Sequence, residues 1–137
     1  MADKLQFDLV SPERVLVSEA VDMVVVPGAE GDFGVMEGHA PIMALLRPGL
    51  ITTYEGDRPG KKIFVAGGFA EANPKGVIVL AEAADVLGEM TPEQARQLLQ
   101  DAEEDLQVAT SADEAERAKL EKSVEIARAR AEAFAAA

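Results

Sequence analysis

The sequence predicts a mainly β protein with an α appendage: an N-terminal antiparallel β-sandwich (residues 1–88) followed by an antiparallel two-helix hairpin (residues 89–137). Two observations predict it. All eleven glycines lie at or before Gly88, among short β-branched runs separated by Gly/Pro turns. The 49 residues after Gly88 contain one proline and thirteen alanines, a composition that favours helices.

The strand predictions follow from alternation and from turn chemistry. In KLQFDLV, Leu5, Phe7 and Leu9 fall on one face. The turns EGDRPG and ANPKG combine proline, which sets φ, with glycine, which accepts positive φ. Short apolar strands that recur about every ten residues, separated by such turns, are typical of an antiparallel sandwich or a barrel. The remaining predicted strand segments are residues 14–27, 50–56, 61–72 and 76–84.

The first helix has a clear start signal. Thr91 is the predicted N-cap, Pro92 occupies the first helical position, and Gln94 completes a capping box. Residues at helical spacing then form one apolar stripe. Its members are Ala95, Leu98, Leu99, Ala102 and Leu106.

The second helix is predicted to begin with another capping box, formed by Ser111 and Glu114. Apolar residues then recur at alternating spacings of four and three, which predicts a narrow seam like that of a coiled coil. They are Leu120, Val124, Ala127, Ala131 and Phe134. Because four of these ten stripe residues are alanine, we expect the two helices to pack closely but to bury little area.

Composition excludes several classes of function. The net charge of −12 opposes binding to nucleic acid or to anionic lipid. Without cysteine and with a single histidine, the sequence offers no thiol chemistry and no usual zinc site. We predict no catalytic residue, metal or cofactor. No apolar run spans a bilayer, and the N-terminus resembles neither a signal nor a transit peptide, so we expect the protein to begin near Met1.

The most unusual segment is GAEGDFGVMEGHAP, which spans residues 28–41. Its glycine spacing matches no phosphate-binding motif, and its acids would repel phosphate. Acid–base catalysis by Glu30 and Asp32 is the alternative, although nothing nearby in the sequence explains why one of the two carboxyl groups would keep its proton. For His39 we expect a hydrogen bond to the backbone of a tight turn. The predicted structure is an extended loop, shaped by Gly28, Gly34, Gly38 and Pro41, that holds another protein.

These residues resemble a known family, the epsilon subunit of F-type ATP synthase. That family carries G-x-x-G-x-F-G-V-x-x-x-H-A-P followed by L-x-P-G, and a second glycine-rich block later in the chain. The first block here is Gly28, Gly31, Phe33, Gly34, Val35, His39, Ala40 and Pro41, then Leu46 or Arg47 before Pro48 and Gly49. The second is Gly67, Gly68, Phe69, Glu71, the strand from Val77 to Leu80, and Ala81.

The resemblance implies a non-catalytic rotor subunit of the central stalk, bound to the gamma subunit and to the ring of c subunits. It implies a c-ring contact at Ala29, Glu30, Gly31, Asp32 and Phe33, with His39 close by. For gamma we expect contact through apolar sandwich surface and the strand around Phe64 to Phe69. For the hairpin there are two alternatives: contact with the alpha and beta subunits that regulates ATP hydrolysis, or a solvated face of mixed charge, which we favour. The expected location is the cytoplasmic face of a bacterial inner membrane, held there by other subunits.

In many members of this family the helical hairpin binds ATP through [I/L]-D-x-x-R-A and a further R-A. In MTPEQARQLLQDA, Thr91 stands where the family has its acid, and Gln94 and Asp101 replace the two arginines. Only Ala95 and Ala102 remain. Without either guanidinium the site lacks its bidentate phosphate partners, so we predict weak or absent ATP binding.

Two other functions are compatible with the residues alone. A free-standing β-sandwich binding module would dimerise through its helices and would not bind gamma. A small enzyme using carboxylates would have a deep pocket where acids converge and one pKa is raised.

Overall fold

The structure, a computed structural model, describes residues 4–86 and 88–136, with residue 136 described by its backbone only. The chain divides into two compact units, Met1–Leu87 and Gly88–Ala137. The first unit contains the strands Leu5–Val10 (β1), Val15–Val21 (β2), Met23–Gly28 (β3), Gly31–Met36 (β4), Ile42–Leu46 (β5), Gly49–Glu55 (β6), Arg58–Val65 (β7), Gly68–Asn73 (β8), Gly76–Ala81 (β9) and Ala84–Val86 (β10). The second contains the helices Pro92–Val108 (α1) and Glu114–Ala136 (α2).

The strands of the described residues form one continuous hydrogen-bonded set around a shared core. Their order is β10-β7-β6-β3-β5-β8-β9-β1-β2, and β4 pairs with β3. Strand β3 joins the two halves because Met23–Val25 pair with β6 whereas Gly28 pairs with Leu46 of β5. The predicted β-sandwich followed by two helices is confirmed. One pairing differs from the antiparallel rule, since β1 runs parallel to β9.

The core lies between the two halves and begins with β1. The predicted alternation is confirmed, since Leu5, Phe7 and Leu9 are all fully buried. Val24 and Val26 of β3 face the same core. Each large aliphatic or aromatic side chain buried in this way stabilises the fold by about 1.5–3 kcal/mol relative to an exposed one.

Two predicted strand segments were each wrong in extent. Residues 14–27 form two strands, which separate at Asp22, where the Asp22 carboxylate accepts a hydrogen bond from the Gly56 N–H at 2.5 Å. Residues 61–72 likewise contain the end of β7 and most of β8, with Ala66 and Gly67 between them. Each break coincides with a residue that could have signalled it, because Asp22 is charged and Gly67 has φ +123°.

The two predicted hairpin turns also differ. In ANPKG the turn is as expected, and the Asn73 side chain accepts hydrogen bonds from the N–H groups of Lys75 and Gly76 at 2.8 and 3.1 Å. In EGDRPG the turn lies at Gly56 and Asp57, while Pro59 is within β7 and pairs with Tyr54. The prediction therefore placed this turn too far along the chain.

Helix α1 begins as predicted. The Gln94 N–H donates to Thr91 Oγ1 at 3.1 Å, and the Thr91 N–H donates to Gln94 Oε1 at 2.8 Å. The predicted stripe is correct except at Leu98, which is 41% exposed. Leu98 is one residue before the half-buried Leu99 and is therefore rotated by about 100° away from the seam.

Helix α2 starts with a different cap from the predicted one. The Asp113 carboxylate accepts a hydrogen bond from the Glu116 N–H at 2.8 Å, and Glu114 is already the first helical residue. The Ser111 capping box is therefore wrong. The α2 seam is as predicted, with Leu120 half-buried at its start and four buried residues after it. These are Val124, Ala127, Ala131 and Phe134.

Candidate functional site

The glycine-rich segment forms a tight β-hairpin and not the extended loop predicted from sequence. Strands β3 and β4 pair along their whole length, from Met23 opposite Met36 to Gly28 opposite Gly31. Only Ala29 and Glu30 separate the strands. We call these two residues, with Gly28 and Gly31, the tip. Strand β4 was missed because two glycines and an aspartate give it low β propensity, which pairing with the apolar β3 overrides.

The four residues predicted to shape a loop have different roles. Gly28 and Gly34 lie inside strands. A Cβ on Gly28 would lie 2.5 Å from the Gly31 carbonyl oxygen and 3.0 Å from the Phe33 ring, so Gly28 permits close packing. Gly38 has φ +83° in the turn after β4, and Pro41 directly precedes β5. Only these last two belong to a loop.

Arg47 fastens the tip to the end of β5. Its Nη1 donates to the Gly28 carbonyl at 2.5 Å, and its Nη2 pairs with the Asp32 carboxylate. The backbone reinforces this contact, because the Ala29 N–H donates to the Leu45 carbonyl at 2.8 Å. We call the contacts of Arg47 with Gly28 and Asp32 the Arg47 clamp. Glu30 is exposed at the turn.

His39 lies away from the tip. Its backbone N–H donates to the Met36 carbonyl at 3.2 Å, and the Nδ1 atom of its ring lies 2.6 Å from the Ala40 carbonyl oxygen. The backbone role predicted for this residue is thus confirmed. Met36 is separated from Gly31 by about 17 Å along β4, at the usual rise per residue of a strand. The expectation that His39 is close to the tip is therefore wrong.

A cleft of about 360 Å³ is lined by the tip and by β5. Its lining is mostly apolar and includes Phe33, Ile42, Met43 and Leu45, with Glu30 as the acidic member. Several acids do not converge there, as an enzyme using carboxylates would require. Within the described residues, no group of acids and histidine is arranged to hold a metal ion.

An exposed apolar surface extends from this cleft across one half of the sandwich. Leu45 pairs with Phe69, Phe69 with Leu80, and Leu80 with Val10, so one row crosses four strands. Leu45 is 71% exposed and Met43 is 67% exposed. We call this surface the apolar face. Its members are Val10, Met43, Leu45, Phe69, Ile78 and Leu80.

Contiguous exposed apolar patches usually mark interaction sites. An apolar sandwich surface was predicted from the sequence without its residues, although one signal for its position was present. Strand β5, IMALL, is apolar at every position, whereas a strand with one solvated face should alternate. The expected strand around Phe64 to Phe69 is wrong as a single element. Phe64 is fully buried in β7, and only Phe69 belongs to the exposed face.

An ionic network ties the start of β1 to the β6–β7 turn. Lys4 Nζ lies 3.0 Å from Asp22 Oδ1 and also contacts the Glu55 carboxylate. Hydrogen bonds from Lys4 and then from the Gly56 amide lower the pKa of Asp22. Bonds to Glu55 and then to Asp22 raise the pKa of Lys4. Acid–base catalysis near neutral pH would need the pKa of the carboxyl raised or the pKa of the lysine lowered. Both shifts here run the opposite way, as in a structural ion pair.

The residues of the degenerate nucleotide motif do not form a common site. Thr91 and Gln94 bond each other in the cap of α1, and Ala95 is fully buried. Asp101 accepts a hydrogen bond from the Gln97 side chain at 2.8 Å, while Ala102 is half-buried. Together with the tip and the apolar face, this arrangement defines a protein that acts by assembling with other chains.

Comparison with known proteins identifies the family. Residues 4–86 match the family described as the ATP synthase delta/epsilon chain β-sandwich domain. The ATP synthase epsilon chain of Rhodospirillum rubrum is 50% identical over 129 residues, which are 94% of this chain and 95% of that one. The epsilon chain of Paramagnetospirillum magneticum is 52% identical over 111 residues, or 81% of this chain and 84% of that one. The chain belongs to the ATP synthase epsilon chains.

Solved structures agree. A chain of the Euglena gracilis mitochondrial ATP synthase, from the OSCP/F1/c-ring structure in rotational state 1, superimposes with a TM-score of 0.75 at 27% identity. The match covers 94% of this chain and 80% of that one. A chain of the Tetrahymena thermophila central stalk and c-ring structure shares the fold, with a TM-score of 0.66 at 12% identity over 97% of this chain and 98% of that one. The predicted family and the predicted role, a rotor subunit of the central stalk that is not the catalytic subunit, are confirmed.

Proposed function

We propose that this chain connects the gamma subunit to the c ring and passes rotation between them. The observation that carries the proposal is that one sandwich presents two exposed surfaces of different chemistry. A polar tip and an apolar face share strand β5, which contributes Leu45 to the apolar face and bonds Ala29 of the tip. A close-packed sandwich deforms little and therefore suits a part that transmits torque.

The tip is the proposed contact with the c ring. Ala29, Glu30 and Gly31 are exposed there, and Phe33 is half-buried beneath them. Because Asp32 pairs with Arg47 within the chain, Glu30 is the carboxylate assigned to basic groups of the ring. A partly solvated ion pair of this kind contributes about 1 kcal/mol or less, so the shape of the tip must supply much of the contact. His39, at the other end of β4, is left out of the proposed contact.

The apolar face is the proposed contact with gamma. Its exposed row is wide enough to form the desolvated centre of a protein interface, where charged residues are depleted. Contact with a polar surface such as the c-ring loops would not give this apolar row apolar partners to pack against. Gamma, the other expected stalk partner, is therefore assigned to it.

Charge and hydrophobic substitutions on the two surfaces test this assignment. We expect Leu45→Glu to abolish co-purification of gamma with the tagged chain, because it places a charge in a desolvated interface. Glu30→Lys should keep gamma and weaken c-ring binding about fivefold or more, because it removes one solvated ion pair and places a cation against the basic groups of the ring.

Two matched substitutions serve as controls for these variants. Val108→Glu alters another exposed apolar residue, at the end of α1, and Glu37→Lys alters another exposed acid. Both should bind gamma and the ring as the unaltered chain does. Equal binding of gamma by Leu45→Glu and Val108→Glu would contradict the assignment of the apolar face.

The helical hairpin is proposed to meet the alpha and beta subunits only weakly. Two of its basic residues already have partners within the hairpin: Arg128 Nη2 lies 3.6 Å from Glu103 Oε2, and Arg117 Nη2 donates to the Ala109 carbonyl at 3.1 Å. Removing residues 89–137 should therefore change ATP hydrolysis by the reassembled enzyme little. Marked activation would show instead that the hairpin inhibits.

The proposed location is the cytoplasmic face of a bacterial inner membrane. Within the parts of the chain that the structure describes, neither helix combines the length and apolarity needed to cross a bilayer. A net charge of −12 also opposes direct binding to anionic lipid. Membrane association therefore depends on the other subunits.

A free-standing binding module remains the alternative function. It predicts a stable homodimer that forms through the helices and has no affinity for gamma. Sedimentation of the purified chain, alone and with gamma, distinguishes the two: a monomer that joins gamma supports the stalk function, and a dimer that ignores gamma refutes it.

A further inference from the structure

Arg47 lies where the tip and the apolar face meet. It directly follows β5, whose residue Leu45 belongs to the apolar face, and its side chain reaches back across to the hairpin. The two ends of its guanidinium contact different parts of the tip, with Nη1 on the Gly28 carbonyl and Nη2 on the Asp32 carboxylate. A planar guanidinium presents donors in a fixed fork, which fixes direction as well as distance.

The backbone holds Arg47 in position for this contact. Its own N–H donates to the Pro27 carbonyl at 3.0 Å. Two residues later, Gly49 packs so closely on Pro27 that a Cβ there would lie 2.9 Å from the proline Cβ. Pro48, which lies between Arg47 and Gly49 in the chain, has a restricted φ. The backbone of Arg47 is therefore held against β3, the strand whose Gly28 carbonyl its side chain also contacts.

We propose that Arg47 is a positioning residue that locks the tip to β5, so that a load applied at the tip reaches the apolar face without bending the hairpin. Asp32 then acts within the chain as the second point of the clamp. This inference rests on the proposed function for its consequence in the complex, but the local effect on the hairpin can be measured in the chain by itself.

The local test is amide hydrogen exchange in the full chain, measured by NMR for Arg47→Met, which keeps most of the apolar stem and removes the fork. The Ala29 amide, which donates to Leu45, should exchange about tenfold faster, the effect of losing two charge-assisted bonds at a solvated site. The Val79 amide in the buried core should be unchanged. Arg58→Met is the matched control, because Arg58 is an exposed arginine at the start of β7.

The functional test uses complete ATP synthase reassembled in vesicles. Arg47→Met should bind gamma as before yet pump fewer protons per ATP hydrolysed, and Arg47→Lys, which keeps the charge but not the fork, should be intermediate. If Arg47→Met does not assemble, Asp32→Asn removes the negative charge from one point of the clamp and should show a smaller change in the same direction.

Unchanged exchange at Ala29 would overturn the proposed clamp. Faster exchange with unchanged proton pumping would overturn its role in transmission. Failure of the unaltered chain to bind gamma or the c ring would instead refute the proposed function, and the exchange measurement would still decide whether Arg47 orders the tip.

Discussion

Glycine can be required for two physical reasons, a positive φ or a lack of room for a Cβ atom. Three glycines of the sandwich allow the two reasons to be tested separately. Gly31 has φ +140° with no atom within 4 Å of the place where a Cβ would lie, so alanine there adds only backbone strain. Gly68 has nearly the same φ, +134°, but its Cβ would lie 2.0 Å from the Leu80 carbonyl oxygen. Gly28 adds the converse case, because its Cβ would lie 2.5 Å from the Gly31 carbonyl oxygen without a positive φ.

The expected costs follow from these geometries. Gly31→Ala should lower the free energy of unfolding by about 1–2 kcal/mol, the strain of a residue in a sparsely populated region. Gly68→Ala adds a clash with the backbone of β9, and overpacking typically costs a further 1–3 kcal/mol. A total of about 3 kcal/mol or more is a large share of the 5–15 kcal/mol by which domains are usually stable. It should lower the melting temperature of the sandwich by more than about 10 °C.

Urea unfolding followed by tyrosine fluorescence provides the measurement. Tyr54 is the only tyrosine and lies in β6, so its signal reports the sandwich and not the helices. Gly68→Ala should unfold at clearly lower urea than Gly31→Ala, with Gly28→Ala destabilised by its clash. If Gly68→Ala were no less stable than Gly31→Ala, the close approach of β8 and β9 could not be the reason for the glycine.

Three other predictions concern the pH dependence of folding, one buried hydroxyl group and ATP binding. Since the pKa of Asp22 is lowered on folding, its contribution is present above the usual carboxyl pKa of about 4 and is lost as the pH falls further; acid unfolding of Asp22→Asn should therefore depend less on pH in that range. Thr53→Val should cost about 1–3 kcal/mol in urea unfolding, because buried Thr53 Oγ1 accepts from the Lys61 N–H at 2.8 Å. Thr53→Ser, which keeps the hydroxyl and loses one buried methyl group, should be less destabilising than Thr53→Val. Calorimetric titration with ATP–Mg should show no micromolar binding, and Gln94→Ala should not change the result; micromolar affinity in the unaltered chain would refute it.

Local signals made parts of the fold predictable. The alternation of β1, the ANPKG turn and the Thr91 cap each involve residues close in sequence, whose physics does not depend on the rest of the chain. The failures were non-local. Strand β4 forms because β3 offers it a partner. Leu98 was predicted to face the other helix, but only the position of α2 defines which residues of α1 do so.

The candidate site shows the same division. The sequence resemblance pointed to the glycine-rich segment, but it could not tell that Asp32 bonds Arg47, fifteen residues away, or that His39 is held at the opposite end of the strand. The apolar row is invisible in one dimension, since its four aligned members come from four strands.

By itself, the sequence determined the two-part architecture, the family, and the absence of thiol chemistry, because these depend on composition, periodicity and short motifs. Only the tertiary structure decided that the glycines build a tight hairpin, which carboxylate at the tip remains exposed, and where the apolar surface lies. The physical reason is that cross-strand register brings together residues distant in the chain, and neither side-chain pairing nor exposure is defined until that register is set.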